Sequence, residues 1–212
     1  TRSDGEIRTF VTAMAASGGI FMLSDKMSLL DDDQIRLISK LFPINGEAAV
    51  PLDLMDNDCP GILDFGLRGR TRVLALINWN DLEKEFCVPV AEEKGGHLFE
   101  FWSQEYLGRC SGEICTVIPP HGCKVFFLTE DALAVAVGGD GSICPATCQR
   151  YEQDVLTVSV EKDGCRYQVV SSNDCTGADG CKLQLLEKTA AGSCRYEAVP
   201  HPGVKEFTLR FS

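Results

Sequence analysis

The chain has 212 residues, of which 44% are hydrophobic, and a formal net charge of −11. That length and apolar content support a sizeable core and one or two domains, and the acidic balance with scattered Lys and Arg argues against nucleic acid as a partner. No apolar run approaches the roughly 20 residues a helix needs to span a bilayer, so no membrane partner is expected.

The first elements read as helix, strand, helix. Ser3 and Glu6 form a capping box, the serine accepting from the Glu6 amide while the glutamate reaches back to the cap. The helix runs from Glu6 to Ser17 with Ile7, Phe10, Val11 and Met14 on one stripe, and Gly18-Gly19 ends it. Ile20 to Asp25 follows, a short apolar run that fits a buried parallel strand covered on both faces. Lys26 to Leu30 is a loop. Asp31 and Gln34 repeat the capping signature for a second helix, Asp32 to Leu41, where Ile35, Ile38, Leu41 and Phe42 supply the apolar face and Pro43 is the stop. Asp31, Asp32 and Asp33 lie where the helix dipole favours negative charge, which explains them better than a metal site does. A parallel strand needs parallel neighbours, and nothing beyond residue 45 repeats the alternation. The expectation is that the chain opens with the tail of a larger α/β domain.

From Ile44 to about Asp58 the chain reads as a connector, after which the period becomes two. Strands are expected at Arg72 to Asn78, Glu83 to Val90, His97 to Trp102, Glu113 to Ile118 and Cys123 to Leu128, the short, turn-separated spacing of an antiparallel sandwich. A similar grammar continues after Thr129, with strands at Leu133 to Val137, Val155 to Val160, Tyr167 to Val170, Leu183 to Leu186, Tyr196 to Val199 and Phe207 to Phe211. Asp163-Gly164 and Asp179-Gly180 are hairpin signals between them.

The eleven cysteines show neither the even count of a disulfide framework nor paired Cys-x-x-Cys spacing for zinc. They read as reduced thiols, many of them small buried hydrophobes, with Cys144–Cys148 and Cys175–Cys181 as the pairs to consider. His97, His121 and His201 are isolated in sequence, so neither a metal nor any other cofactor is expected. The expected compartment is the cytoplasm.

Arg8 to Gly19 followed by Phe21-Met22-Leu23-Ser24-Asp25 resembles the last helix–strand passage of the melibiase-type α-galactosidases. Val73 to Trp79 is similar to that family's entry into its sandwich. Phe101-Trp102-Ser103-Gln104-Glu105-Tyr106-Leu107-Gly108, ending in Pro119-Pro120-His121-Gly122-Cys123, is similar to its late strands. The resemblance covers residues 1 to 129. It implies glycoside hydrolases built from a (β/α)8 barrel and a C-terminal β-sandwich, with residues 130 to 212 only loosely like an extra β segment some members carry. The family's nucleophile and acid/base aspartates lie upstream of this region, and neither motif occurs here. Hydrolysis needs two carboxylates flanking one bond, about 5 to 5.5 Å apart in retaining enzymes, and barrel enzymes draw them from different strands. No catalytic residue is therefore expected in this chain.

The expected fold is mainly β: an antiparallel sandwich at 44–129, preceded at 1–43 by the last helix–strand–helix of a barrel and followed at 130–212 by a second, smaller β module. Ser24 and Asp25, at the C-terminal end of the barrel-type strand, are the candidates for lining a sugar pocket. Trp79, Trp102 and Tyr106 are candidates for stacking on a sugar ring, against a reading as core or as sandwich–barrel interface. The function expected is support of a catalytic barrel that binds the carbohydrate. The alternative is an autonomous carbohydrate-binding module, or a structural or oligomerisation element.

Overall fold

The computed structural model describes the chain apart from residues 1–2, 23, 25, 45, 91–94, 146–147 and 190–191. Helix α1 (Asp4–Ser17) starts at the Ser3–Glu6 capping box and ends at Gly18, which is left-handed at φ 61°. That ending needs glycine twice over. The conformation penalises a side chain, and a Cβ would fall 2.3 Å from the backbone of Glu47, which returns across the helix end. A single 3-10 turn, Met27–Leu29, precedes α2 (Asp32–Ser39), whose Asp31–Gln34 capping box is also formed.

The first β unit comprises β1 (Val50–Pro51), β2 (Ile62–Arg68), β3 (Thr71–Ile77), β4 (Lys84–Val90), β5 (Gly96–Glu100), β6 (Glu105–Cys110), β7 (Gly112–Ile118) and β8 (Cys123–Glu130). Six of these form one antiparallel sheet in the order β1-β2-β3-β8-β5-β6, and β4 pairs with β7 apart from it. Residues expected to be a mere connector contribute β1. Asp53 fastens that stretch, its buried carboxylate accepting from the amides of Gly61 at 3.0 Å and Ile62 at 3.0 Å.

The second unit comprises β9 (Ala134–Gly139), β10 (Gln149–Glu152), β11 (Val155–Ser159), β12 (Tyr167–Ser171), β13 (Cys175–Asp179), β14 (Cys181–Lys188), β15 (Cys194–Pro200) and β16 (Glu206–Phe211). They form two four-stranded antiparallel sheets, β10-β11-β16-β13 and β14-β15-β12-β9. The described chain is mainly β, with several antiparallel sheets and no closed barrel.

Alternation along single strands divides the interior into three cores. On β3, Leu74 and Leu76 pack with Phe86, Val88 and Ile114 of the β4–β7 pair. Val73 and Ala75 point the other way, into a core shared with Val11 of α1 and Val135 and Val137 of β9. On β9, Ala134 and Ala136 face the third core, between the two sheets of the second unit. Phe99, Phe101 and Phe127 fill the middle core as a run of tilted rings with centroids 5.5 to 6.1 Å apart. The end of α2 is pinned to the second unit. Lys162 Nζ donates to Ser39 O at 2.8 Å, the Ile143 amide donates to Lys40 O at 3.0 Å, and Lys40 Nζ donates to Asp140 O.

Three expectations are corrected. Ile20, Phe21, Met22 and Ser24 lie in no strand, and Ile20 is 96% exposed and Met22 83%. Among the described residues no strand lies beside this run, so its apolar sequence finds no sheet to enter. Of the apolar face expected for α2, Leu41 just past the helix is buried in the middle core and Ile38 is half-buried, whereas Ile35 and Phe42 are exposed. Lastly, among the described residues a disulfide joins Cys87 and Cys115, which face each other across β4 and β7, while Cys148, Cys175 and Cys181 carry free thiols, so neither expected pair is formed. Sequence distance hides that pair, and the sheet register creates it. Several free cysteines do act as buried hydrophobes: burial pushes the Cys165 and Cys181 thiols up to about 11.

Two outcomes follow from this packing. A methyl on Gly138 of β9 would fall 2.2 Å from the Phe99 ring, whereas one on Gly177 meets nothing within 4 Å. In urea denaturation G138A is expected to lose about 1–3 kcal/mol by overpacking, and G177A much less. Replacing Cys87 and Cys115 together by serine is expected to cost about 2–4 kcal/mol through release of the cross-link, read as a lower denaturation midpoint.

Candidate functional site

Ser24 is exposed in an irregular segment, and Asp25 lies outside the described residues. The three aromatic candidates sit in different surroundings. Trp79, 41% exposed, follows β3 and donates its indole N–H to Pro60 O at 2.8 Å. The turn beneath it is held by buried Asn78, whose amide donates to Leu82 O at 2.8 Å and Ile118 O at 3.0 Å.

Trp102 fastens α1 to the first sheet. Its indole N–H donates to Thr12 Oγ1 at 3.1 Å, its ring lies edge-on to Phe101 at 5.2 Å, and the Arg8 guanidinium sits 5.7 Å over its face. Nearby, Thr9 Oγ1 donates to His121 O at 2.8 Å. A ring engaged on edge and face has little left for a ligand.

Tyr106 belongs to a polar network that the sequence did not reveal. Its hydroxyl lies 2.8 Å from His97 Nδ1, and His97 Nε2 lies 2.8 Å from Asp131 Oδ1. Arg109 reaches the other oxygen of Asp131 at 2.6 Å. Burial holds the His97 pKa below the ordinary histidine value despite the raising effect of Asp131. A neutral ring satisfies both contacts when Nε2–H donates to the carboxylate and Nδ1 accepts from the tyrosine. The β5–β6 register, which sets His97 opposite Arg109 and Phe99 opposite Tyr106, brings these groups together. Asp131 joins from the segment after β8. Recognising β6 as a strand would have been the one route to this cluster from sequence.

Acid chemistry on a sugar bond requires a carboxyl that stays protonated near neutral pH, paired with a second carboxylate. Among the described residues Glu161 is the carboxyl that burial pushes up. It accepts from the Ser142 amide at 3.1 Å and borders a cavity of only 30 Å³, room for about one water. The metal-type cluster found among the described residues is Cys87, Glu113 and Cys115, and its two sulfurs are committed to the disulfide.

No protein-family model matches the chain, and no curated protein matches it either. Solved structures do. α-Galactosidase I from Mortierella vinacea superposes with a TM-score of 0.51 at 18% identity, covering 62% of this chain and 37% of that one. A putative α-galactosidase from Bacteroides fragilis gives 0.50 at 13%, covering 62% and 30%. The fold is α-galactosidase-like. A putative α-N-acetylgalactosaminidase from Bacillus halodurans shares it, with a TM-score of 0.50 at 17% identity over 61% of this chain and 32% of that one. The chain thus spans about a third of the length of these structures, and at these identities the likeness is one of fold.

The buried histidine of this α-galactosidase-like fold carries a pH signature. The unfolded chain takes up a proton near pH 6.5, whereas folded His97 does so only at lower pH. Stability is therefore unaffected above about pH 6.5, falls as pH drops through that value, and levels off below the folded pKa. Denaturation midpoints from pH 8 to 5 are expected to show this slope in the native chain and a shallower one in His97→Gln.

Proposed function

We propose that this chain is the C-terminal part of an α-galactosidase-like glycoside hydrolase and that it supports a catalytic barrel rather than performing hydrolysis. In this reading residues 1–43 complete the barrel, 44–129 form the sandwich behind it and 130–212 add a second β unit. The observation that carries it is the uncovered apolar surface at the start of the chain. Ile20, Met22, Leu29 and Ile35 are exposed, all within the first 43 residues. A concentration of large exposed apolar side chains marks a surface that another body covers. The other side of α1 is already anchored by Trp102 and Thr9. The α-galactosidase-like fold supplies the kind of body: a barrel to which the run 20–25 would add a strand and α2 its closing helix. The substrate in the parent would be a terminal α-linked galactoside or a related sugar, bound by the barrel.

The reading as an autonomous carbohydrate-binding module has less support. It needs exposed rings sharing one platform, and Trp102 and Tyr106 are engaged by protein groups while Trp79 stands apart from them.

The test is an assay with an aryl α-galactoside. The 212-residue chain is expected to release no aryl alcohol, and a longer polypeptide carrying an upstream barrel is expected to do so. In that longer protein Met22→Glu should lower the thermal midpoint, while in the isolated chain it should leave the midpoint nearly unchanged because Met22 is already in water. Hydrolysis by the isolated chain would overturn the reading, as would an encoding gene without a barrel upstream.

A further inference from the structure

The junction between the two β units encloses a cavity of about 180 Å³. Neither unit builds it alone. Its walls come from β5 and β6, from residues 131–132, from the end of β12 and from β14 and β15. The volume is that of several waters at about 30 Å³ each, far below a cleft for an extended chain and on the scale of one small ring.

The lining specifies the chemistry of an occupant. Two guanidinium groups and two carboxylates face the cavity, and they are already matched: Arg109 with Asp131 at 2.6 Å and Arg195 with Glu187 at 3.6 Å. His97 adds no charge at neutral pH, since burial disfavours its protonated form. The walls are therefore electrically balanced, and a charged ligand would have to displace an existing partner. Paired charges still have unused capacity. A guanidinium has five N–H donors and a carboxylate about four acceptor sites, far more than one contact consumes.

Hydroxyl groups complete the lining. Those of Ser172 and Ser193 make no side-chain hydrogen bond among the described residues, and the Tyr106 hydroxyl, which donates to His97, can still accept. Val170 and Ala132 supply a small apolar patch. The face of Tyr106 is taken by Arg195, 5.9 Å from its centroid, so a flat aromatic ligand has nothing to stack on. Alternating fixed donors and acceptors around a small space suit a molecule that offers both from adjacent carbons.

We propose that this junction cavity is a binding site for one neutral sugar ring, held through vicinal hydroxyls by the Arg109–Asp131 and Arg195–Glu187 pairs. It draws on both β units, so its ligand also clamps the second unit to the first. The proposal stands on the cavity's own chemistry and does not require the chain to be part of a hydrolase.

The test is saturation-transfer NMR and calorimetric titration of the full 212-residue chain with D-galactose, D-glucose, myo-inositol and glycerol, with galacturonate as the charged comparison. Arg109→Met and Glu187→Gln are suitable variants, since both side chains are more than half exposed at 63% and 56% and their loss should leave the thermal midpoint unchanged. The expected result is saturable binding of a pyranose, one per chain, with no binding of galacturonate. Each variant should weaken it about tenfold or more, since hydrogen bonds to charged groups are lost, and Trp79→Ala should leave it intact. Absence of saturable binding by every neutral probe would overturn the proposal. So would binding unchanged in both variants, glycerol or galacturonate bound as tightly as the pyranoses, or loss of binding in Trp79→Ala. None of these readings depends on hydrolytic activity.

Discussion

The middle of the six-stranded sheet is buried on both faces, and the rest of the molecule depends on that. A half-solvated antiparallel sheet alternates apolar and polar residues, but β3 is buried at Val73, Leu74, Ala75, Leu76 and Ile77 in succession. Its odd-numbered positions Val73 and Ala75 face α1 and β9, and its even ones face the β4–β7 pair. β5 and β8 divide in the same way, Phe99 and Phe127 to one side and Leu98 and Phe126 to the other. Two coverings are therefore obligatory. Removing either would uncover a full face of aromatic and branched side chains, at about 25 cal/mol per Å² of apolar surface returned to water.

β9 carries the same logic across the junction. It is an edge strand of its own sheet, with alanines turned to the second unit's core and valines turned to the first. Small residues on one side let Tyr167 and Phe207 approach, with ring centroids 5.5 Å apart, while Gly138 at its end leaves room for Phe99. The two β units are thus joined through a strand that belongs to both interiors, and side chains meet around it. The polar cavity lies where that apolar contact stops. There the walls are arginine, carboxylate and hydroxyl, which can face water, and neither unit has to bury an unpaired charge.

The start of the chain shows the opposite balance. Both of its helices have complete capping boxes, so their starts are satisfied locally, yet they are covered to different extents. Val11 and Ala16 of α1 are buried, whereas no residue within α2 is, although Leu41 just beyond it is, and Ile20 and Met22 are exposed while Phe21 packs on the middle core. Capping and propensity make a helix; tertiary contact decides whether its stripe is covered. This segment is locally well specified and only partly covered.

Much of the element list could be read from the residues alone, because its signals are local. A serine three residues before a glutamate forms its box wherever the helix lies, and both predicted boxes are present. Period-two alternation placed β3, β4, β5, β7 and β8 to within about two residues, and most strands of the second unit equally well. Five strands are missed: β1, β2, β6, β10 and β13. β1 is two residues long and β10 four, β2 is broken by a register shift at Gly66 with φ 76°, β6 contains Gly108 at φ 91° and alternates only between exposed and half-buried positions, and β13 is an edge with a register shift. None carries an unbroken run of the apolar periodicity that makes a strand visible. What the sequence could not decide was whatever depends on the element opposite. The Cys87–Cys115 bond requires the β4–β7 register, and the His97–Tyr106–Asp131 network requires a hairpin and the turn after β8. Whether Ile20 and Met22 are core or surface depends on a neighbour, and no residue within the run encodes that neighbour. Local periodicity specifies which faces an element has. Only the tertiary arrangement specifies what each face meets, since burial and pairing belong to two surfaces at once.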